Sequence, residues 1–167
     1  LLLLNPELGK SGGGVRTIAK TPKLYRLWAR TRRGAMNDWE ATLDKPYDAA
    51  RKGSSALIAA AGRSLFAEVS VLNGLKVCGT FFDLHKFYDT VQPEPLFEAI
   101  VETHFPIQDA MMGFQMHMAP RTIIVNTLPS LPIRIDISIL AGCIYSNPWV
   151  KSLMHAGAST IAVEHPM

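Results

Sequence analysis

The sequence lacks the cysteine and histidine patterns that build disulfide frameworks and zinc sites. Its 167 residues include two cysteines, Cys78 and Cys143, which lie in apolar runs without Cys-x-x-Cys spacing. We expect both to be reduced, buried thiols in an intracellular, reducing compartment, with the nucleus among the candidates. The five histidines show neither metal-ligand spacing nor a nucleophile partner, so none is assigned to a site.

The sequence also lacks a membrane span and a P-loop. Leu1 to Leu4 is too short for a signal-peptide core or a span, and charged residues interrupt the longer apolar stretches. We therefore expect no membrane partner. The run Ser11 to Gly14 is glycine-rich, but no Gly-Lys-Ser/Thr ending follows it, which excludes a P-loop and favours a hairpin turn.

Charge is scarce, and it is unevenly distributed. Charged residues make up 19% of the chain and apolar residues 48%, which is enough for one globular core. Residues 1–52 carry eleven Lys or Arg against five Asp or Glu, whereas residues 53–167 carry six against nine. The basic front third predicts an anionic partner, with a solvated basic helix as the alternative.

Hydrophobic periodicity and capping residues predict mainly helices with a few short strands. Thr21 and Pro22 are suitable N-cap and N1 residues for a basic amphipathic helix, and Asn73-Gly74 is typical of a left-handed helix end. The predicted helices cover 21–33, 36–43, 54 or 55 to 72, 94–103, 107–118 and a last one from Ser146 or Asn147; the predicted strands cover 77–84, 121–126 and 132–137.

The most informative segment is Phe81-Phe82-Asp83-Leu84-His85-Lys86-Phe87-Tyr88-Asp89-Thr90-Val91. An apolar strand that ends in Asp83 and continues into a turn and a helix would place one carboxylate at the rim of a sheet. The segment resembles motif A of reverse transcriptases, in the form Asp-x-x-Lys-x-Phe/Tyr-Asp-x-Val of non-LTR retrotransposons and group II intron-like enzymes. Every position of that form is matched.

A second segment, Ala141-Gly142-Cys143-Ile144-Tyr145-Ser146, resembles motif B of the same family, Gln-Gly-x-x-x-Ser. Gly142 and Ser146 match in spacing, whereas Ala141 stands in place of the usual Gln and Ile144 in place of the usual Pro. It follows a predicted hairpin and precedes a predicted helix, which is the position of motif B in the family.

A third segment lies at the front of the chain. Lys10, the glycine-rich turn and Arg16-Thr17-Ile18 resemble the fingers motif Lys…Gly-x-x-Arg-Pro-Ile, with Thr17 in place of Pro. The three segments occur in the order that the family has. The resemblance therefore extends over roughly residues 1–155, and the motif A segment is its strongest part.

This resemblance implies an α+β fold. It implies a partial right-hand polymerase palm, an antiparallel sheet with helices on one face, joined to N-terminal fingers elements. The fingers-like segment would be residues 1–75, with its basic hairpin and helices. The palm would be residues 76–167, with motif A at 81–91 and the motif B-like loop at 138–149.

The resemblance also implies a chemistry. Template-directed DNA synthesis is an in-line phosphoryl transfer in which two Mg²⁺ ions clamp the attacking oxygen and the leaving pyrophosphate. Asp83 would be a catalytic metal ligand, and the backbone carbonyl of Leu84 could lie in the same shell. Tyr88 would lie under the incoming dNTP sugar and reject a ribose 2′-hydroxyl, with a core aromatic as the alternative.

The implied partners are a dNTP and an RNA or DNA template-primer. Lys10 and Arg16 would pair with triphosphate oxygens, with ordinary exposed hairpin charges as the alternative, and Gly142 would let its loop approach the nascent base pair. The cations expected to contact nucleic acid, alternatively solvated, are Lys23, Arg26, Arg30, Arg32, Arg33 and Lys86.

One family element is missing. Motif C, an apolar or aromatic residue followed by any residue and then Asp-Asp, does not occur, and no two Asp residues are adjacent. One carboxylate cannot clamp two ions. Because the chain lacks an initiator Met and stops soon after a helix begins, we expect a fragment of a longer enzyme, and we expect the fragment itself to be inactive.

Three functional interpretations follow. The favoured one is a reverse transcriptase fragment covering the fingers and the palm through motif B. The second is a non-catalytic nucleic-acid-binding remnant of a retroelement, which would use the basic front third. The third is an unrelated α/β protein in which the motif A letters are coincidental.

Overall fold

A computed structural model describes residues 2–6, 15–43, 48–49, 53–79, 84, 86–125 and 127–164. The chain divides into two compact units. The larger one contains residues 1–43 and 86–167, and the smaller one contains residues 44–85. The sequence predicted a boundary between residues 75 and 76 that separates polymerase subdomains. A division into compact units does not test that boundary, so it stays a prediction.

A small mixed sheet belongs to the larger unit. Its strands are β1 (Leu2–Pro6), β2 (Val15–Ala19), β3 (Ile123–Val125) and β4 (Leu128–Pro129), in the spatial order β2-β1-β3-β4. The pairs β1–β2 and β3–β4 are antiparallel, and β1–β3 is parallel. The sheet together with the helices confirms the α+β class, and β1–β2 confirms the predicted front hairpin.

Six helices complete the larger unit among the residues that the structure describes. They are α1 (Lys23–Thr31), α2 (Arg33–Thr42), α4 (Phe87–Thr90), α5 (Pro93–Glu102), α6 (Ile107–Met118) and α7 (Ser146–Glu164). Pro93 begins α5 because its fixed φ suits the first helical turn, where its missing N–H leaves no hydrogen bond unmade. Pro22, not Thr21, is the N-cap of α1, one residue later than predicted.

The core of this unit is rich in aromatic residues. Trp149 is fully buried, and its ring stacks on Phe114 with the centroids 4.7 Å apart. Trp39 packs edge-on against Phe105 and donates its indole N–H to the carbonyl of Thr103. The larger unit therefore builds its core where α2, α5, α6 and α7 contribute aromatic and aliphatic side chains.

The smaller unit contains one long helix, α3 (Ala56–Leu72). The Ser55 side chain accepts a hydrogen bond from the Ile58 amide at its start, as predicted. At its end Gly74 has a φ of +75°, and the amides of Gly74 and Leu75 donate to the carbonyls of Val71 and Ser70. These bonds form a Schellman motif, so the predicted left-handed end is confirmed.

Three expectations are corrected by the described residues. The strand predicted over 77–84 is not present at residues 77–79 and 84, and its other positions, 80–83, lie outside the described residues. An extended segment with no neighbouring strand leaves its backbone N–H and C=O groups without ladder partners, so an apolar run alone does not make a strand.

The second correction concerns the hairpin predicted over 121–126 and 132–137. A hairpin is present, but the partner of β3 is β4 and not a strand over 132–137, where only Ile133 pairs, in one bridge with Arg121. The third concerns Cys78, which is exposed, while Cys143 is half-buried. No helix among the described residues has the length and apolarity required to cross a bilayer.

Candidate functional site

In the larger unit, residues 86–91 of the motif A-like segment lie beside the motif B-like loop at 138–149. The Ile139 amide donates to the Tyr88 carbonyl and the Ser138 amide to the Val91 carbonyl, each at 2.9 Å. The Tyr88 hydroxyl also donates to Asn147 Oδ1, at 2.7 Å. Two stretches about fifty residues apart in sequence are therefore joined by backbone and side-chain hydrogen bonds.

A loop covering residues 140–146, which we call the Gly142 loop, follows this junction. Its base is held at Leu140, whose amide donates to His117 Nδ1 at 3.2 Å and whose carbonyl accepts from Ser146 Oγ. Ser146 or Asn147 was predicted to cap the last helix; α7 begins at Ser146, and the Ser146 hydroxyl closes the loop. Gly142 has a φ of +85°, a left-handed conformation that glycine adopts without steric cost.

Arg121 fastens the segment before the loop. Its guanidinium donates to the hydroxyl of Ser138 at 2.7 Å and to the carbonyl of His117 at 3.0 Å. Burial lowers the pKa of Arg121, and the nearby Asp89 carboxylate opposes that change. Burial also lowers the pKa of His117 to about 3, and the positive charge of Arg121 adds to the effect. His117 is therefore neutral at physiological pH and free to accept the Leu140 amide.

A cavity of about 510 Å³ lies between the Gly142 loop and the start of α1. We call it the basic pocket. The structural elements on its two sides are more than one hundred residues apart in sequence. Its lining residues are Ala19, Lys20, Thr21, Tyr25, Arg26, Ala29, Arg30, Arg33, Leu140, Gly142, Cys143 and Ile144.

The exposed rim of the basic pocket is positively charged. Arg26, Arg30 and Arg33 are all exposed, and none of them forms an ion pair with a carboxylate in the described part of the chain. They recur at spacings of four and three residues, which brings them to one side of the α1–α2 segment. The pocket can therefore attract an anion.

The floor of the basic pocket is apolar and buried. Ala29 and Leu140 are buried, and the Tyr25 hydroxyl lies 3.2 Å from Cys143 Sγ. Burial raises the pKa of Tyr25 and of Cys143, so both groups stay protonated at physiological pH. Because a thiol with a raised pKa is a poor nucleophile, the Cys143 side chain contributes contact area and not reactivity.

Arg32 differs from the neighbouring arginines. Its Nε donates to Asp109 Oδ1 at 2.8 Å, and the Asp109 side chain is almost fully buried. Burial of a lone carboxylate is costly, so Arg32 is held as the partner of Asp109. Arg32 is for this reason not counted in the basic pocket, although the sequence grouped it with the other cations.

The remaining predicted residues lie in different places. Asp83 and Lys10 are outside the described residues, and Arg16 lies in β2, where it pairs with Asn5. Leu84 is exposed in the smaller unit. The exposed cations Lys23, in α1, and Lys86, at a φ of +49° just before α4, do not line the pocket.

The expected magnesium site is not formed by the described residues. No group of three or more His, Cys, Asp or Glu among them is arranged to hold a metal ion. Asp83 lies outside these residues, and Mg²⁺ therefore stays part of the proposal for the complete enzyme.

Sequence reasoning missed the polar residues that hold the Gly142 loop. It gave no role to His117 or Arg121, which contact Leu140 and Ser138, and it named Asn147 only as a possible helix cap, whereas Asn147 accepts a hydrogen bond from Tyr88. A lone buried histidine leaves no sequence signal, because its partner is a backbone amide. Arg121 did leave one, as an isolated cation between a helix and an apolar strand.

The chain matches no protein-family model, no curated protein and no solved structure. What the site can do therefore has to be argued from its own geometry, from two features in particular. One is the junction between the motif A-like and motif B-like segments, and the other is the basic pocket beside it.

Proposed function

We propose that this chain is part of an RNA-directed DNA polymerase of the retroelement type, with a partial palm built around the junction of the motif A-like and motif B-like segments. The observation that carries the proposal is the set of hydrogen bonds in which Tyr88 and Val91 accept from the Ile139 and Ser138 amides and Tyr88 donates to Asn147. These bonds join residues 88–91 of the motif A-like segment to residues on both sides of the motif B-like letters 141–146, which supports a site shared by the two segments.

The junction supports the role proposed for Tyr88. Its ring is half-buried and its hydroxyl donates to Asn147, so the aromatic group lies beside the Gly142 loop. In the complete enzyme, Tyr88 would contact the sugar of a dNTP, and the Gly142 loop would approach the nascent base pair. A ring in that place would reject a 2′-hydroxyl sterically, and its hydrogen bond to Asn147 would oppose its displacement.

In the same proposal Asp83 and the Leu84 carbonyl would hold Mg²⁺, and Lys10 and Arg16 would bind triphosphate oxygens. The template-primer would contact the exposed cations of α1 and the start of α2, together with Lys86. Because these contacts are mainly with phosphates, binding should weaken steeply as salt concentration rises.

The test measures template-primer binding and Asp83-dependent primer extension, first for the 167-residue chain and then for the complete protein. The 167-residue chain should bind a template-primer without extending it, because it has no Asp-Asp pair. The complete protein, read beyond Met167, should contain that pair and should extend the primer, and Asp83→Asn should abolish extension while leaving binding intact. Asp136→Asn is the matched control, since Asp136 is exposed and pairs with Arg134 on the hairpin.

Primer extension by the 167-residue chain that depends on Asp83 would contradict the expected inactivity. A complete protein with no Asp-Asp pair and no Asp83-dependent extension would contradict the polymerase proposal.

A second function is favoured by a different observation, the three arginines of the basic pocket that have no carboxylate partner among the described residues. In this alternative the chain is a nucleic-acid-binding remnant of a retroelement without catalysis. It predicts the same salt-dependent binding but no Asp83-dependent extension by any form of the protein.

A further inference from the structure

We infer that the basic pocket binds an unpaired nucleotide of a single-stranded nucleic acid, with the phosphate on the arginine rim and the base on the apolar floor. The inference rests on the proposed function in its choice of a nucleic acid as the ligand. It adds the strandedness of that ligand and the residues that distinguish a single strand from a duplex.

The rim provides for phosphate. Arg26, Arg30 and Arg33 offer guanidinium groups that can each form two parallel hydrogen bonds to a phosphate oxygen pair. Arg26 and Arg30 are four residues apart on α1, so their Cα atoms lie about one helical turn, roughly 5.4 Å, from each other along the axis. The three arginines can therefore contact consecutive phosphates of one strand, whereas a single compact anion would contact only part of the row.

The floor provides for a base. Ala29 and Leu140 are buried, and Cys143 and Ile144 are half-buried, so the bottom of the pocket is apolar and contains no charged side chain. A flat aromatic base can pack against such a surface, and contacts of this kind tolerate any base because each one has an apolar face. A bare phosphate would leave this floor in contact with water.

The volume favours an unpaired nucleotide. A cavity of about 510 Å³ is in the range of pockets that enclose small ligands. The bases of a duplex are stacked and paired inside the helix, so a duplex would offer the pocket only its phosphates. A single strand can turn one base into the cavity while its backbone stays on the rim.

Affinity measurements on the 167-residue chain test this inference. The probes are a fluorescein-labelled single-stranded oligonucleotide, the blunt duplex of the same sequence, and a free dNTP as competitor. A base packed on the apolar floor would remove roughly 60 Å² of apolar surface from water, which corresponds to about tenfold in affinity, so the single strand should bind roughly tenfold more tightly than the duplex. The dNTP should compete only weakly.

The rim is tested by the triple variant Arg26→Ala, Arg30→Ala, Arg33→Ala. All three side chains are exposed, so the fold should be retained, as circular dichroism can check. The slope of log affinity against log salt should become less steep by about 2, at about 0.7 for each phosphate contact on a single strand. Arg63→Ala is the control, because Arg63 is an exposed arginine on α3 that does not line the pocket.

The floor is tested by Ile144→Ser, which removes apolar surface and no charge. It should reduce the preference for the single strand over the duplex several-fold and leave the salt slope unchanged. Thr21→Glu, which adds a carboxylate among the lining residues, should weaken both ligands. A lost base contact lowers only the preference for the single strand, whereas a lost phosphate contact lowers the affinity for both ligands. The two variants therefore distinguish these contacts even if one of them lowers stability.

Several outcomes would overturn the inference. They are equal affinity for single strand and duplex, a triple arginine variant with the wild-type salt slope, or a dNTP that binds while the oligonucleotide does not. Each leaves the polymerase proposal standing if the complete protein still shows Asp83-dependent extension. Conversely, single-strand binding that depends on the arginines, without any extension, would support the pocket and not the polymerase.

Discussion

Helices α3 and α6 differ in how each buries its side chains, although the sequence predicted both with nearly correct bounds. Helix α6 buries Asp109, Ala110, Gly113 and His117. Helix α3 buries only Ser70, and Leu57 and Leu72 are about four-fifths exposed. An apolar composition therefore predicts a helix without predicting a packed face.

The difference has a local cause in α6. At Gly113 the helix comes so close to Trp149 that an added Cβ would lie 2.6 Å from the ring. Along α3, Gly62 has no atom within 4 Å of the same position. The two glycines therefore differ in role. Gly113 allows the Trp149 ring to pack closely against α6, whereas Gly62 faces open space.

The largest expected loss of stability comes from removing the Trp149 ring, which packs against α6. Trp149→Ala should lower the free energy of unfolding by about 3–5 kcal/mol, because it leaves a cavity beside Phe114, His117 and Tyr145. Urea unfolding followed by circular dichroism measures it. Leu65→Ala on α3 is the matched control and should cost less than about 0.5 kcal/mol, since Leu65 is 61% exposed. Equal losses at the two sites would break the comparison.

Acid should lower the free energy of unfolding of the larger unit, because His117 in α6 is buried in its neutral form. Its pKa is about 3 in the folded protein and about 6.5 when unfolded, so between these values the unfolded chain binds the extra proton. Stability is full above the unfolded pKa and falls as pH drops, by about 1.4 kcal/mol per pH unit, or about 2–3 kcal/mol from pH 6 to pH 4.

His117→Gln should remove this part of the pH dependence, because glutamine offers an acceptor to the Leu140 amide but does not titrate in this range. Urea midpoints for both proteins at several pH values measure the difference. A variant that loses stability with acid as steeply as the wild type would show that His117 does not carry the effect.

The ion pair of α6 is expected to come next. Arg32→Ala leaves the Asp109 carboxylate buried without its partner and should lower the free energy of unfolding by about 2 kcal/mol, below the range for fully buried pairs because Arg32 is partly exposed. Arg33→Ala is the control, since Arg33 is exposed and forms no ion pair among the described residues. Similar urea midpoints for the two variants would show that the pair is not stabilising.

Sequence predicted the local features and missed those that depend on distant contacts. The bounds of α6 and the Schellman end at Gly74 follow from periodicity and turn residues close in the chain. The role of Ser146 and the partner of Arg32 depend on Leu140 and Asp109, which are brought near only by folding. The strand expected before Asp83 is missing from the described residues for a related reason, because a strand requires a neighbour that the sequence does not name.

The candidate site follows the same rule. Short motifs singled out Gly142 and Tyr88 as nucleotide-binding residues. Gly142 lines the basic pocket, and Tyr88 is hydrogen-bonded to Asn147, just after the Gly142 loop. The basic pocket was not predicted, because eight of its twelve lining residues lie within 19–33 and the other four lie within 140–144, more than one hundred positions later. Only the positive charge of its rim was visible in the sequence.

The close approach at Gly113 can be tested directly. Gly113→Ala forces a methyl group toward the Trp149 ring, which Phe114 and His117 also contact, so the ring cannot easily move aside. We expect a loss of about 2 kcal/mol in the free energy of unfolding, as is typical of overpacking. The Trp149 fluorescence should change as well, although Trp28 and Trp39 also emit, so near-ultraviolet circular dichroism is recorded alongside.

The same substitution on α3 should have the opposite sign. Gly62→Ala adds a methyl group where no atom lies within 4 Å, so it meets no steric obstacle. Alanine also restricts the unfolded backbone more than glycine does, which should raise the stability of α3 by about 0.5–1 kcal/mol. Native-state hydrogen exchange on the amides of α3 measures this locally, independently of the larger unit. A loss of protection in Gly62→Ala would mean that a neighbour packs closely against this position, and the contrast between α3 and α6 would then fail at the residue chosen to define it.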